Sequence, residues 1–474
     1  MKKLFMILCC LSVLLCSGCQ SKSHLDPKNP VTIKLWNYYS GKQIESFNKL
    51  VEEFNTTVGK EKGIIVDSTS IGNVNELGQS VIDAANKKVG AKDVPDIFAA
   101  YADTAYQMDA LGLVEDLKPY FSDKELSKYI DGYIEEGYLN KNKELKIFPI
   151  AKSTEVMMLN MTDFDKFSKA TNTSLNDLTT IEGVTSVTQK YYEYTDSLTS
   201  TKNDGKAFFG RDAIANYIII GLKQLGHDIV SVKDGKTILD FDKDVVRKLW
   251  DNYYTPYVRG YFSSQGRFRS DDIKIGNIIC CVNSSSGASF FPNKVIQDDN
   301  KNYSIDVKVL PAPLFEKGEK YAVQQGAGMV VTKGEESHVE ASVEFLKWFT
   351  QSKENIEFSI DSGYLPVTKE ANQTETIHQT TPIESEIIKD VIDVSVSTVN
   401  DSNLYVMQAF DNGTKFRNEL EKCLQSQADK DRKLIKEELK QGKDYEKVIS
   451  QYDNDQNFEQ WYKQTYETLN NLIG

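Results

Sequence analysis

Residues 31 to 66 read VTIKLWNYYSGKQIESFNKLVEEFNTTVGKEKGIIV, and the spacing of their apolar residues changes once. Val31, Ile33 and Leu35 alternate with polar neighbours, which is the period of a half-buried strand. Ile44, Phe47, Leu50, Val51 and Phe54 then recur at three- and four-residue intervals, the spacing of an amphipathic helix. Ile64-Ile65-Val66 is a second short apolar run. A helical stretch around Leu77 to Asn86 follows, and then Pro95-Asp96-Ile97-Phe98-Ala99-Ala100, an apolar run introduced by proline. Strand and helix alternate, which implies βαβ crossovers, a largely parallel sheet and an α/β fold class.

Ligands of such sheets meet the loops at the carboxyl ends of the strands. Two of those loops are Trp36-Asn37-Tyr38-Tyr39-Ser40 and Tyr101-Ala102-Asp103-Thr104. Each sets aromatic beside polar side chains. That pairing suits a sugar, whose ring CH faces stack on aromatics while its hydroxyls need directional partners. A core-capping role for Trp36 or one of the tyrosines explains the same residues.

Farther along, Ala213 to Leu225 and Val245 to Tyr254 read as helices, and Ile273 to Val282 as a buried strand ending in Asn283-Ser284-Ser285-Ser286-Gly287. Gly326-Ala327-Gly328-Met329-Val330-Val331 is apolar again, and Val339 to Phe349 has helical spacing. Beyond Pro366 the chain is mostly helical and charged, notably from Asp429 to Tyr445. Charge runs of that kind are ordinarily solvated helix faces.

Composition narrows the function. The chain has 474 residues, 56 Lys+Arg against 69 Asp+Glu, a formal net charge of −13 and 4 His. An acidic balance argues against a nucleic-acid partner held by phosphate neutralisation. Four scattered histidines leave no zinc motif, and no metal or cofactor is expected. Catalytic motifs fail in detail. Asp234-Gly235-Lys236-Thr237 ends like a P-loop, but Val230 stands where its first glycine belongs. Asp453 to Asn457 begins like a calcium loop, but Phe458 occupies the turn glycine. Ser284-Ser285-Ser286-Gly287 lacks the glycine that precedes a nucleophile elbow. A pair of carboxylates needs only nearness in space, so a carbohydrate-active hydrolase is the main rival to a binding protein, and a surface adhesin is a third reading.

The first 19 residues, MKKLFMILCCLSVLLCSGC, carry two lysines, an apolar run and small residues, the layout of an export signal. Ser17-Gly18-Cys19 resembles the lipobox of bacterial lipoproteins. The resemblance implies a signal peptide over 1 to 18, a lipidated Cys19 and a protein held on the outer face of the cell membrane. Gln20 to Pro30, polar with two prolines, reads as a tether able to extend about 35 to 40 Å. The cysteines beyond it, Cys280, Cys281 and Cys423, are too few for a disulfide scaffold.

Six fragments in order resemble the extracellular solute-binding proteins of ABC importers, in the group that includes maltodextrin- and glycerol-3-phosphate-binding proteins. They are Lys34-Leu35-Trp36 with the helix ending Glu53-Phe54-Asn55; Val94 to Phe98 with Ala110 to Leu117; Phe148-Pro149-Ile150 leading to Met158-Leu159-Asn160; Gly326-Ala327-Gly328; Ala341 to Phe349; and Ser362 to Val367. The resemblance implies a two-lobe periplasmic-binding-protein-like fold with hinge crossings and a helical C-terminal region. Lobe 1 would combine 31–155 with 322–366, and lobe 2 would combine 156–321 with 367–474. It implies a monomer that captures a solute, expected to be a carbohydrate, and delivers it to permease subunits without chemistry. Its cleft positions fall on Trp36, Tyr38, Tyr39, Tyr101, Asp103, Lys152, Ser153, Phe208, Phe209, Asn283 and Ser284. Serine at 284 and 285, where the family's sugar binders tend to carry a large aromatic residue, argues against a long maltodextrin. A phosphorylated polyol would instead use Lys152, Arg211, Arg267 or Arg269.

Overall fold

The computed structural model describes residues 23–139, 143–233, 236–296 and 302–473. The expected signal peptide and Cys19 lie outside the described residues. Strands and helices alternate from the start: β1 (Val31–Asn37), α1 (Lys42–Thr56), β2 (Ile64–Ser70), α2 (Val74–Ala85), β3 (Ile97–Ala100) and α3 (Ala102–Ala110). A second set contains β4 (Glu155–Asn160), β5 (Phe209–Arg211), α4 (Ile214–Gln224), β6 (Cys280–Ser284) and β7 (Val307–Pro311). The chain then adds β8 (Gly328–Val331), α5 (Glu336–Phe349), α6 (Ser352–Ser362), α7 (Glu386–Asp401), α8 (Gly413–Lys440) and α9 (Asp455–Ile473).

Two four-stranded sheets result. The first has the order β8-β3-β1-β2, with β1 parallel to β2 and β3, and β8 antiparallel on the edge. The second, β7-β4-β6-β5, is mixed: β4 runs antiparallel to both neighbours and β5 runs parallel to β6. Period two explains how the second sheet is buried. Met157, Leu159, Cys280 and Val282 point into the core under α4 and α8, while Val156, Met158, Cys281 and Val309 point the other way, toward α7. The adjacent thiols of Cys280 and Cys281 therefore serve opposite faces, both free and buried.

Three differences from the sequence reading have local causes. The start of the expected strand from Ile273 is helical, Arg269–Lys274, and the strand begins only at Cys280. The buried Asp272 carboxylate accepts from the backbone of Gln265 and Gly266 and pairs with Arg269, holding that turn by polar contacts that apolar spacing does not reveal. The expected helix Val245 to Tyr254 is two helices, Lys243–Asp251 and Tyr254–Arg259, broken at Asn252 and Tyr253, where the Tyr253 backbone leaves the helical conformation (φ −130°, ψ −58°). Residues 23–30, part of the expected tether, lie along the first lobe: Ser23 Oγ and the His24 backbone N–H donate to Glu340 of α5 at 2.7 and 2.8 Å.

Three chain segments run side by side between the lobes. Lys152 exchanges backbone hydrogen bonds with Leu365, Ser153 with Gln325, and Phe148 with Met329. Gly326 sits there at φ +92°, and a Cβ on it would lie 2.8 Å from the Ala151 carbonyl oxygen. Both the left-handed backbone and the close approach call for glycine.

Candidate functional site

The carboxyl ends of β1 and β3 face the carboxyl ends of β5 and β6 across a seam between the lobes, and short-chain residues let the two sides approach. Gly413, the first residue of α8, lies so near α3 that a Cβ would sit 2.0 Å from Asp103 Oδ1. Gly363, at φ +74°, lies against the backbone of Ser285 and Ser286. Gln43 of α1 donates to the Ser286 carbonyl at 3.4 Å and to the Ser362 carbonyl at 3.3 Å.

The first lobe contributes phenols and one carboxyl group. The hydroxyls of Tyr38 and Tyr364 are 3.0 Å apart, and Tyr38 also accepts from the Ala327 N–H at 3.4 Å. Burial pushes the Tyr38 phenol well above the usual tyrosine range, and raises Tyr101 too, against the opposing pull of Arg417. Asp103, in the first turn of α3, is 9% exposed. Burial pushes its carboxyl up to about 6, although Arg417 of α8 pulls the other way.

The crossing segments and the second lobe contribute a connected polar network. Lys152 Nζ donates to the Gly326 carbonyl at 2.8 Å and to the Glu136 carboxylate, which also accepts from Gln324. Ser284 Oγ donates to Ser153 Oγ at 3.1 Å and lies 2.9 Å from Ser286 Oγ. Glu155, at the start of a strand that is otherwise apolar except at its end, accepts from Arg211 at 2.6 Å and from Asn216 at 3.0 Å; Asn216 in turn accepts from Arg417. The Glu421 carboxylate takes the first two N–H groups of α4, so α8 is fixed to the amino end of that helix, where its dipole favours negative charge. Ala213, just before α4, has φ +55°, an uncommon conformation for a residue with a Cβ.

Four polar side-chain atoms around these strand ends are buried without a hydrogen-bond partner among the described residues: Thr154 Oγ1, Arg211 Nε, Asn283 Oδ1 and Gln325 Oε1. Each such atom costs about 1–3 kcal/mol when left unpaired. Donors and acceptors are both among them. No group of His, Cys, Asp and Glu among the described residues is arranged to hold a metal ion.

The residues singled out from sequence divide into two sets. Tyr38, Tyr101, Asp103, Lys152, Ser153, Asn283 and Ser284 come together along the seam and the crossings. Trp36 and Tyr39 are buried in the first lobe, where Tyr39 packs against Phe47, Phe358 and Tyr364 with ring centroids 5.1 to 6.0 Å apart. Phe208 and Phe209 are buried in the second: Phe208 lies 5.3 Å from Tyr191 and Phe209 lies 4.9 Å from Phe262, centroid to centroid. Sequence reasoning passed over Glu136, Glu155, Asn216, Tyr364 and Arg417. The one available sign was Glu155, a carboxylate opening the otherwise apolar run VMML.

A profile of the family described as bacterial extracellular solute-binding protein matches residues 49–384. No curated protein matches in sequence. Among solved structures, the chain is similar to the cyclic alpha-maltosyl-1,6-maltose binding protein of Arthrobacter globiformis: TM-score 0.66, 15% identity, 94% of this chain and 99% of that one covered. It is similar also to the GacH receptor of Streptomyces glaucescens, solved unliganded and with acarbose (TM-score 0.65, 13% identity, 93% and 98% covered). A third is UgpB of Mycobacterium tuberculosis in complex with glycerophosphocholine (TM-score 0.63, 15% identity, 93% and 99% covered). Identities this low carry the fold alone, a two-lobe α/β architecture with a helical C-terminal region.

The raised Asp103 pKa has a stability consequence. Between its unfolded value of 3.8 and about 6, the folded chain holds a proton that the unfolded chain releases. Stability therefore falls as pH rises through that window, and the full cost, on the order of 3 kcal/mol, is present above it. With the lobes together, as here, Gly413 and Arg417 cover Asp103. Asp103→Asn is expected to stabilise this closed form by up to about that amount at pH 7.5 and by nothing below about pH 4, as measured by urea unfolding of the ligand-closed protein at both pH values.

Proposed function

The chain belongs to the bacterial extracellular solute-binding protein family, and on that premise we propose that it captures a neutral carbohydrate between its lobes and delivers it to the permease subunits of an ABC importer. The observation that carries the carbohydrate assignment is the seam itself. Tyrosine rings stand beside buried donors and acceptors that lack partners, and a polyhydroxyl solute brings groups that both donate and accept. Charge supports neutrality. Three of the four cations a phosphorylated polyol would use are already matched, Lys152 by Glu136, Arg211 by Glu155, and Arg269 by Asp212 and Asp272, and the fourth, Arg267, is exposed and lies over the Phe268 ring at 5.3 Å. An anion would have to compete with a carboxylate at each of the first three. The small side chains at Ser284 and Ser285 favour a compact sugar over a long chain.

Binding works through closure. A solute that touches both lobes only when they are together lends its binding free energy to the closed form, and the importer reads that form. No bond in the solute is made or broken. The protein acts as a monomer, held on the outer membrane face by a diacylglycerol on Cys19. No described helix is long and apolar enough to cross a membrane.

Two experiments test this reading. In a thermal-shift screen against mono- and oligosaccharides, one sugar is expected to raise the melting temperature, with stabilisation of about 2.7 kcal/mol at a hundred times its Kd, and chromatography should recover it intact. No response to any sugar defeats the assignment, and cleavage of the sugar favours a hydrolase. For the anchor, Cys19→Ala is expected to move the protein from the membrane fraction into the medium; retention on the membrane contradicts lipidation there.

A further inference from the structure

At the other end of the second sheet lies a cavity of about 780 Å³. Its floor is formed by the segments that lead into the amino ends of β5 and β6, around Gly205 to Ala207 and Ile275 to Asn277, together with Ser263 to Gln265. The seam is at the carboxyl ends of those strands, so the cavity is separated from it by the length of a strand, about 17 Å for five residues. Its volume falls in the range of about 300–1,000 Å³ usual for ligand pockets.

One wall is a face of α8. Arg432, Lys433, Lys436 and Lys440 recur at intervals of one, three and four residues, which places them together on a helix. Lys206 adds a fifth cation from the floor. Two carboxylates, Asp429 and Glu437, also line the cavity, and Asp429 accepts from the Tyr257 hydroxyl. In a chain of net charge −13, this is a local concentration of positive charge.

These cations have no carboxylate partner among the described residues, a state they share with single exposed lysines such as Lys60 and Lys87; what sets them apart is their concentration in one concavity. Among the described residues none of the five forms an ion pair, whereas Lys62, Lys88, Lys166 and Lys369 each reach a carboxylate at 2.5 to 2.9 Å. Arg432 is half-buried, and its guanidinium donates to the neutral carbonyl of Val258 at 2.8 Å. Burial lowers the Arg432 guanidinium from its usual range. Lys436 is lowered by burial and then by the like charges of Arg432 and Lys440. A solvated charged helix face would carry neither the concavity nor the half-buried unpaired guanidinium.

We infer that this cavity is an anion site for a phosphate-bearing ligand, separate from the carbohydrate seam, with Arg432, Lys433 and Lys436 as the recognising groups. Phosphate oxygens would accept from the guanidinium and the ammonium groups, relieve their mutual repulsion, and take further hydrogen bonds from Ser263 and Asn277 on the floor. The phosphate can come from a soluble polyphosphate ester or from a lipid headgroup.

The test uses the full mature chain with Cys19 replaced by serine, so that no acyl chain tethers it. Calorimetry with inorganic tripolyphosphate at low salt is run beside cosedimentation with phosphatidylcholine vesicles with and without phosphatidylglycerol. Lys433→Gln/Lys436→Gln is compared with Lys60→Gln/Lys87→Gln, which removes the same charge from exposed positions on the first lobe. The inference expects one tripolyphosphate per chain, or retention specific to phosphatidylglycerol, weakened at least tenfold by the first pair and unchanged by the second. Calorimetric binding assigns a soluble source and vesicle retention a lipid one. It is overturned if neither probe binds, if both pairs weaken binding equally, or if the sugar that fills the seam displaces the phosphate. The thermal response to sugar is read on the same variants, so loss of the anion site leaves the carbohydrate reading standing.

Discussion

The ammonium of Lys152 ties the two halves of the molecule at one point. It is 1% exposed, its backbone pairs with Leu365 in one crossing segment, and its side chain bonds the Gly326 carbonyl of another while neutralising Glu136. A buried ion pair of this kind adds little net stability over an apolar equivalent, yet removing one partner strands the other and costs about 3–5 kcal/mol. Its consequence is positional. With the crossings held in register, the strand ends of both sheets are kept aimed at the same space.

What fills that space follows from how sheets terminate. Strands bury their apolar faces and leave polar backbone and loop side chains at their ends, and the βαβ arrangement of the first lobe gathers those of β1 and β3 at one edge. The second lobe meets it with Glu155, Arg211, Asn216 and Arg417, a network running from the crossing segment to the helix opposite Asp103. Two glycines, Gly363 and Gly413, allow the sides to touch. Charges inside the seam are largely compensated within the protein, which on the proposed function leaves hydrogen bonding and ring stacking to select a solute.

The alternation β1-α1-β2 was legible because each element buries one face and so writes its period into the chain. Tyr38, Tyr101 and Asp103 were legible for the same reason: they stand immediately after strands. Phe208 and Phe209 show the limit of that rule. They precede or open a strand, and an aromatic pair at a strand start looks the same in sequence whether it lines a cleft or, as here, packs against Tyr191 and Phe262. Tyr364, Gly413 and Arg417 could not be read at all, since they reach the site from hundreds of residues away, and Arg417 belongs to a helix whose charged faces look alike in sequence. The helix Arg269–Lys274 escaped because a buried carboxylate, not an apolar stripe, holds it.

On the proposed function, the molecule bends about its crossings and changes shape when its solute binds. Small-angle scattering of the mature chain, with and without the sugar that stabilises it, tests this most directly. The account predicts a smaller radius of gyration in the sugar-bound sample, with a profile that matches the closed arrangement in which Asp103 meets Gly413. Superimposable profiles at saturating sugar would contradict it.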